Sequence, residues 1–244
     1  MSMKKLSAAL ALAFTTTAAA ADYQGEVGVA YHDFDGAEAL EFSGEYHFQP
    51  VSTASHPLAE AAFLERSNNV SLRHTRKEAG PTDTNSTTAQ VEFYIPQAML
   101  YVAPIYTHQS SKSGGFSSSD NDWGVTIGVT PMEGFRVTTT YFDDADYELN
   151  LEAKYVLGLA NDTAVNMEFG YADAPDSGMS DTVSAAADYY FDRTFSVGAH
   201  IVDAEDTFYG VRTRKFFTET FSALAEITKA DDDTHWKIGA SLRF

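Results

Sequence analysis

Three side chains in the middle of the chain have the types and spacing of a nucleophilic catalytic set. His108 and Ser110 lie two residues apart, and Asn121 follows them. A serine nucleophile, a histidine base and a carboxamide that orients the base can together perform acyl transfer. A structural interpretation competes with this one, because residues 110–119 are rich in Ser and Gly and are typical of a flexible loop.

A second set of side chains is suited to contact with ions. Charged residues recur at every second position of several segments, and charges that line a water-filled passage attract some solutes and repel others. The candidate lining residues are Glu26, Glu41, Glu45, Glu92, Arg136, Glu148, Glu152, Lys154, Glu168, Arg212, Arg214, Lys237 and Arg243.

These charges can be arranged in two ways. One hypothesis sets a basic wall against an acidic wall across the passage, namely Arg136, Arg212, Arg214 and Lys237 against Glu41, Glu45, Glu92 and Glu168. Such opposed rows would create a transverse field that orders polar solutes. The alternative is that each charge simply pairs with a charge on a neighbouring strand.

The elements that must position these residues are β-strands. In residues 235–244 the even-numbered positions are mainly apolar, from Trp236 to Phe244, and the odd-numbered positions are mainly polar, from His235 to Arg243. A strand has a side-chain period of two, so this segment has one apolar and one polar face. The same alternation occurs in residues 40–48, 147–157, 165–171 and 183–191. Segments of about ten such residues are typical of strands that separate lipid from water.

We predict an all-β chain folded as a transmembrane antiparallel up-and-down β-barrel of about 14 strands, with 12 or 16 as alternatives. The predicted strands lie near residues 23–33, 39–48, 58–73, 88–95, 98–108, 122–130, 135–142, 147–157, 163–172, 182–191, 193–203, 206–215, 218–229 and 234–244. The weakest of them, 58–73, contains Ser67-Asn68-Asn69, which indicates a turn, bulge or bend. A soluble β-sandwich is the competing fold, but it needs a drier and more aliphatic interior than these segments supply.

Connector lengths predict the orientation of the barrel. The connectors at 95–98, 131–134 and 216–218 are tight, whereas 79–87 and 109–120 are longer and rich in Ser, Thr and Gly. Membrane barrels have short periplasmic turns and longer external loops, so both termini are predicted on the periplasmic side. Residues 49–57 are an exception, because they form a long connector on that side.

The N-terminal residues predict export. Lys4 and Lys5 precede an apolar stretch at 6–14 and small residues at 18–21, a pattern typical of a secretory signal peptide. We expect residues 1–21 to be removed and residues 22–244 to form one barrel domain. The chain has no cysteine, so no disulfide is expected. Its net charge of -19 argues against a nucleic-acid partner, because phosphates would be repelled, and favours cations.

Three short stretches carry a family resemblance: residues 22–28 (DYQGEVG), 48–51 (FQPV) and 56–66 (HPLAEAAFLER). They resemble a family of small outer-membrane "putative porins", in which a hairpin of the form P-V…P-L-A-E-A-A-F-L-x-R follows the second strand. The resemblance implies a monomeric or oligomeric diffusion channel and assigns no catalytic residues.

The hypothesis from the sequence is a passive outer-membrane channel for small hydrophilic solutes, leaning towards cations, with no enzymatic activity, metal or cofactor. Expected partners are outer-membrane lipid and lipopolysaccharide, small solutes and ions, and the barrel-assembly machinery, which reads the terminal Phe244. The sequence is compatible with either a monomer or a homo-oligomer.

Two alternatives remain. One is a hydrolase similar to outer-membrane phospholipases, which use an H-x-S pair on a strand and a later Asn, here His108, Ser110 and Asn121. The other is a non-conducting structural or adhesive barrel.

Overall fold

The computed structural model describes residues 22–143, 149–174, 180–230 and 233–244, which form fourteen β-strands. The strands are β1 (Asp22–Phe34), β2 (Ala37–Ser52), β3 (Asn69–Ala79), β4 (Thr82–Ile95), β5 (Leu100–Ser113), β6 (Phe116–Met132), β7 (Phe135–Phe142), β8 (Asn150–Gly158), β9 (Ala164–Ala172), β10 (Thr182–Asp192), β11 (Phe195–Asp203), β12 (Thr207–Phe216), β13 (Phe221–Ala230) and β14 (Asp233–Arg243).

Each strand pairs antiparallel with its neighbours in sequence, and β1 also pairs with β14, so the sheet closes into a barrel. Closure leaves no open sheet edge at the seam and satisfies the backbone hydrogen bonds between strands. The predicted fold, an up-and-down barrel of fourteen strands, is confirmed. The seam aligns Glu26 with Arg243 and Asp33 with Trp236.

The apolar phase of the strands faces outwards. Large apolar side chains in the middle of seven different strands are between 46% and 57% exposed, namely Val27, Phe42, Leu72, Ile127, Phe169, Val211 and Ile227. A soluble sandwich would bury these side chains, whereas a lipid-facing barrel surface presents them to the hydrocarbon. The polar phase therefore lies inside the barrel.

Two parts of the predicted strand layout are wrong. Residues 58–64 are helical, with a 3-10 turn (Leu58–Glu60) followed by α1 (Ala61–Leu64), and the third strand begins only at Asn69. The predicted loops 79–87 and 109–120 are largely strand, so that tight turns at 80–81 and 114–115 join long hairpins. These strands continue past the apolar belt, and because their residues are polar on both faces they lack the alternation that marks the other strands. No helix of the described residues is long and apolar enough to cross a membrane.

Phe244 completes the seam. Its carbonyl oxygen accepts hydrogen bonds from the backbone N–H groups of Gln24 and Gly25, both at 2.9 Å, and its own N–H donates to the Gly25 carbonyl at 2.9 Å. The Phe244 ring lies over Gly25 so closely that a Cβ added there would be 2.4 Å from the ring. Any larger residue at this position would force the Phe244 ring to move.

We expect Gly25→Val to destabilise the barrel by about 1–3 kcal/mol, because the new side chain must displace the Phe244 ring from the seam. Gly44→Val is the matched control, since a Cβ at Gly44 meets nothing within 4 Å. The measurement is urea unfolding in detergent micelles, followed by tryptophan fluorescence. Equal midpoints for the two variants would contradict the role assigned to this contact.

Candidate functional site: the barrel interior

The interior charges of the seam meet in a compact ion-pair group. Glu26 accepts a hydrogen bond from Nε of Arg243 at 2.5 Å and another from Nη2 of Arg214 at 3.0 Å. Arg243 is only 3% exposed, and its guanidinium lies over the rings of Tyr23 and Phe216, at 4.3 and 4.6 Å from their centroids. One carboxylate thus balances two buried or half-buried cations.

A second group lies across β8 to β12. Arg212 donates to Asp188 at 2.6 Å and to Glu168 at 3.3 Å. Lys154 contacts Glu168 at 3.6 Å, and the Asn166 amide donates to Glu168 at 2.7 Å and to Asp188 at 3.0 Å. The alternation of β10 also predicts that Asp188 points inwards, whereas Asn166, which shares the inward phase of β9 with Glu168, was not singled out from the sequence.

The other predicted lining residues are also mostly paired. Arg136 donates to the Tyr94 hydroxyl at 2.7 Å and lies 3.6 Å from Glu92. Lys237 lies 3.8 Å from Glu41. Three members remain. Glu45 lies 3.4 Å from His47, the Glu152 side chain has no ion pair or hydrogen bond within the described residues, and Glu148 lies outside them. Contacts of this kind fit local pairing better than two separated walls of opposite charge.

The connector between β2 and β3 enters the barrel. Residues 53–68, which we call the inserted segment, contain α1 and the preceding 3-10 turn. Leu58 and Ala61 are 1% and 0% exposed, although they belong to a connector. Glu60 is 6% exposed; it accepts a hydrogen bond from the Tyr190 hydroxyl at 2.7 Å and lies 2.8 Å from Nζ of Lys154. A buried, paired carboxylate indicates that the inserted segment is held in a defined position against the barrel wall and is not a loose loop.

The wall contacts of the inserted segment lie far apart around the barrel. Arg66 donates to the Thr130 carbonyl on β6 at 3.2 Å, and Arg243 on β14 donates to the Leu58 carbonyl at 2.8 Å. In a ring of fourteen strands, β6 and β14 are six positions apart by the shorter route, which is nearly opposite. Between them the segment contacts β8 and β10 through Glu60. It therefore crosses one mouth of the barrel.

Further contacts hold the start of the inserted segment. The Arg193 guanidinium donates to the carbonyl of His56 at 3.2 Å and to that of Thr53, and the Leu58 N–H donates to the Arg193 carbonyl at 2.7 Å. The Phe63 ring is covered by Lys154 at 4.9 Å and by Arg136 at 5.3 Å. A sequence signal for this element exists in Pro57 followed by a run of Ala, Glu and Leu, which favour helix over strand.

Cavities occur at one rim of the barrel and within its interior. A cavity of about 720 Å³ lies at the rim opposite the inserted segment, among the tips of the β1–β2, β3–β4 and β13–β14 hairpins, and its lining includes Asp33, Asp35, Glu38, Glu78 and Asp233. A cavity of about 670 Å³ lies deeper, between β3 and β10. A smaller one of about 300 Å³ adjoins the inserted segment and is lined by Glu60, Lys154 and Arg212 among others. The barrel is thus acidic at one rim and ion-paired beside the inserted segment.

The proposed catalytic set is only partly assembled. His108 and Asn121 are directly opposite each other on β5 and β6, and Nδ1 of His108 lies 2.8 Å from the Asn121 carboxamide oxygen. The Tyr106 hydroxyl donates to the same oxygen at 2.8 Å. No hydrogen bond between Ser110 and His108 occurs within the described residues. A serine nucleophile needs such a contact with its base, so the geometry leaves this interpretation without its central pair.

Comparison with known proteins assigns the family. The sequence matches the family model described as "Putative general bacterial porin" over residues 3–120 and 116–244, which is nearly the whole chain. The chain belongs to this family of porins. Membership implies an outer-membrane location and supports a channel over an enzyme for this porin. No curated protein sequence matches it significantly.

Solved structures share the fold of the porin. The outer membrane protein Omp33 of Acinetobacter baumannii is 23% identical, with a TM-score of 0.75, and the match covers 92% of this porin and 99% of that chain. The KdgM porin is 10% identical, with a TM-score of 0.48 and coverage of 90% and 99%. The first of these likenesses shows the same barrel architecture.

Proposed function

We propose that this porin is a passive diffusion channel for small hydrophilic solutes that favours cations. The observation that carries the proposal is a closed barrel with an apolar exterior and a polar interior that contains cavities. An interior filled by apolar side chains would leave no aqueous path, whereas charged and hydroxyl side chains keep water in the lumen.

We propose further that the inserted segment sets the resistance of the channel. It crosses the mouth that the predicted orientation assigns to the periplasm, and it is anchored by the buried Glu60 contacts with Tyr190 and Lys154. A constriction of this kind admits only small solutes and keeps the conductance low. Displacement of the segment would widen the path without any change in the barrel wall.

The preference for cations rests on the acidic mouth. Five carboxylates line the rim cavity at the end that we predict to be external. Glu78 among them pairs with Arg76 at 2.9 Å, but the described lining residues of that cavity include no Lys or Arg. Like charges around an entrance raise the local concentration of the opposite ion, and this effect weakens with salt. The charges deeper inside are largely paired, so the entrance dominates the selectivity.

Planar-bilayer recording tests both parts of the proposal. We expect discrete conductance steps. In a KCl gradient we expect a reversal potential with the sign produced by a channel that conducts K⁺ better than Cl⁻. Replacing Asp33, Asp35 and Asp233 with Asn should lower the cation-to-anion permeability ratio by about twofold to threefold. The effect is modest because dissolved salt already screens much of the electric field of the entrance carboxylates. Asp83→Asn, outside the described lining of that cavity, is the control.

Two results would contradict the proposal. Absence of ion-conducting steps would favour a non-conducting structural or adhesive barrel. A reversal potential on the anion side would reject the cation preference alone.

The remaining expectations accompany the channel. We propose that residues 1–21 are removed during export, that Phe244 is presented to the barrel-assembly machinery, and that the apolar belt contacts outer-membrane lipid, with lipopolysaccharide at the external rim.

A further inference from the structure

The central cavity of the barrel is lined by side chains that have spare polar capacity. Its volume is about 670 Å³, and its wall includes the hydroxyl residues Thr126, Thr138, Thr140, Thr182 and Ser184. Four charged residues also line it: Arg73 on β3, Glu92 on β4, Arg136 on β7 and Glu152 on β8. Glu92 and Arg136 lie 3.6 Å apart and neutralise each other, whereas Arg73 and Glu152 are much less neutralised.

Arg73 is held only weakly. Its side chain is 66% exposed, and the ion pair found for it within the described residues is a 3.9 Å contact between Nε and Glu41. Glu41 also lies 3.8 Å from both Lys237 and His32, so its charge is shared among several groups. The guanidinium therefore keeps most of its N–H donors free for a solute.

Glu152 is free on the other side of the cavity. Its side chain is exposed, and the described residues offer the carboxylate no ion pair or hydrogen bond. Its partners in register are Thr138 on β7 and Gly170 on β9, which line the same cavity and carry no charge. This carboxylate can accept hydrogen bonds from a solute without giving up an internal partner.

The positions of the two charges define a dipole across the lumen. β3 and β8 are five positions apart in a ring of fourteen strands, and one cavity touches both. A guanidinium binds a carboxylate through two parallel N–H donors, and a carboxylate accepts hydrogen bonds from an ammonium group. A solute with one charge of either sign meets attraction at one wall and repulsion at the other, whereas a solute with both charges is attracted at both.

We propose that the central cavity is a binding site for small dipolar solutes of the α-amino-acid type, with the solute carboxylate at Arg73 and the solute ammonium at Glu152. The hydroxyl side chains between the two charges replace part of the hydration shell of the solute. This inference rests on the proposed channel, because it names the solute class that the channel favours.

The test is solute flux into proteoliposomes, measured by osmotic swelling as the ratio of serine flux to glycerol flux. Glycerol is uncharged and of similar size, so any constriction that slows both solutes cancels in the ratio. We expect Glu152→Gln and Arg73→Gln each to lower this ratio by about threefold to tenfold, since each removes a charge-assisted contact, with glycerol flux unchanged. Arg76→Gln, on the same strand and engaged with Glu78 at 2.9 Å, should leave the ratio unchanged.

The outcomes separate this inference from the channel itself. Glycerol flux with a serine-to-glycerol ratio that is equal in all variants would overturn the dipolar site and leave the channel standing. An equal fall in the ratio for Arg76→Gln would also overturn it, because general loss of positive charge would then explain the effect. Absence of flux for both solutes would overturn the channel, and the site with it.

Discussion

Replacing residues 54–67 with about six Gly and Ser residues is expected to raise the single-channel conductance by about threefold or more over the wild type. The reason is that the narrowest part of the path limits conductance. The replacement keeps the Phe48 N–H to Asn68 carbonyl hydrogen bond that begins the β2–β3 hairpin. It removes the helical turns that cross the mouth and leaves the barrel wall untouched. Single-channel recording in planar bilayers measures the step size directly.

Two point variants refine this expectation. Glu60→Gln removes the charge that faces Lys154 and so weakens the attachment of the inserted segment to the barrel wall. We therefore expect more frequent or longer open events at an intermediate conductance. Glu65→Gln is the matched control within the segment, because Glu65 is 39% exposed and pairs with His56 of the same segment. If the shortened chain has the step size of the wild type, the inserted segment does not limit conduction.

Glu26→Ala is expected to lower the free energy of unfolding by about 3–5 kcal/mol, because it leaves the buried Arg243 and the half-buried Arg214 without their shared carboxylate. Water cannot readily replace the lost carboxylate, since Arg243 is 3% exposed and is enclosed by Tyr23 and Phe216. Urea unfolding in detergent micelles measures the effect. A heat-modifiable shift on a gel reports independently whether the barrel has closed.

Glu78→Ala is the control for this second prediction. Its pair with Arg76 is 2.9 Å long, but the two side chains are 38% and 55% exposed. Exposed pairs contribute about 0–1 kcal/mol, so this variant should unfold close to the wild type. Similar losses in the two variants would mean that the Glu26 group is no more than a surface ion pair in its energetic effect.

Period-two alternation was sufficient to predict the barrel. Many strands of the apolar belt are marked by it, because lipid on one side and water on the other act on each residue independently of its partners. The same local rule explains the errors. Residues 79–87 and 109–120 are polar on both faces where the hairpins leave the belt, and a local pattern cannot distinguish such strands from loops.

The contacts of the interior were much harder to predict than its composition. Alternation predicts that Glu26 and Arg243 point inwards, but their hydrogen bond joins residues 217 positions apart and depends on the β1–β14 register. The contacts of Glu60 are even harder to predict from local sequence, since its partners lie on the distant strands β8 and β10. A run of Ala, Leu and Glu signals helix, but no local signal says that the helix turns into the lumen.

Arg243 couples the seam of the barrel to its constriction. Its guanidinium holds Glu26 across the β1–β14 seam and also donates to the Leu58 carbonyl of the inserted segment. One side chain therefore serves both the wall and the segment that crosses it. A change that weakens the seam at this point also loosens one anchor of the constriction, so the integrity of the barrel and its permeability depend on the same residue.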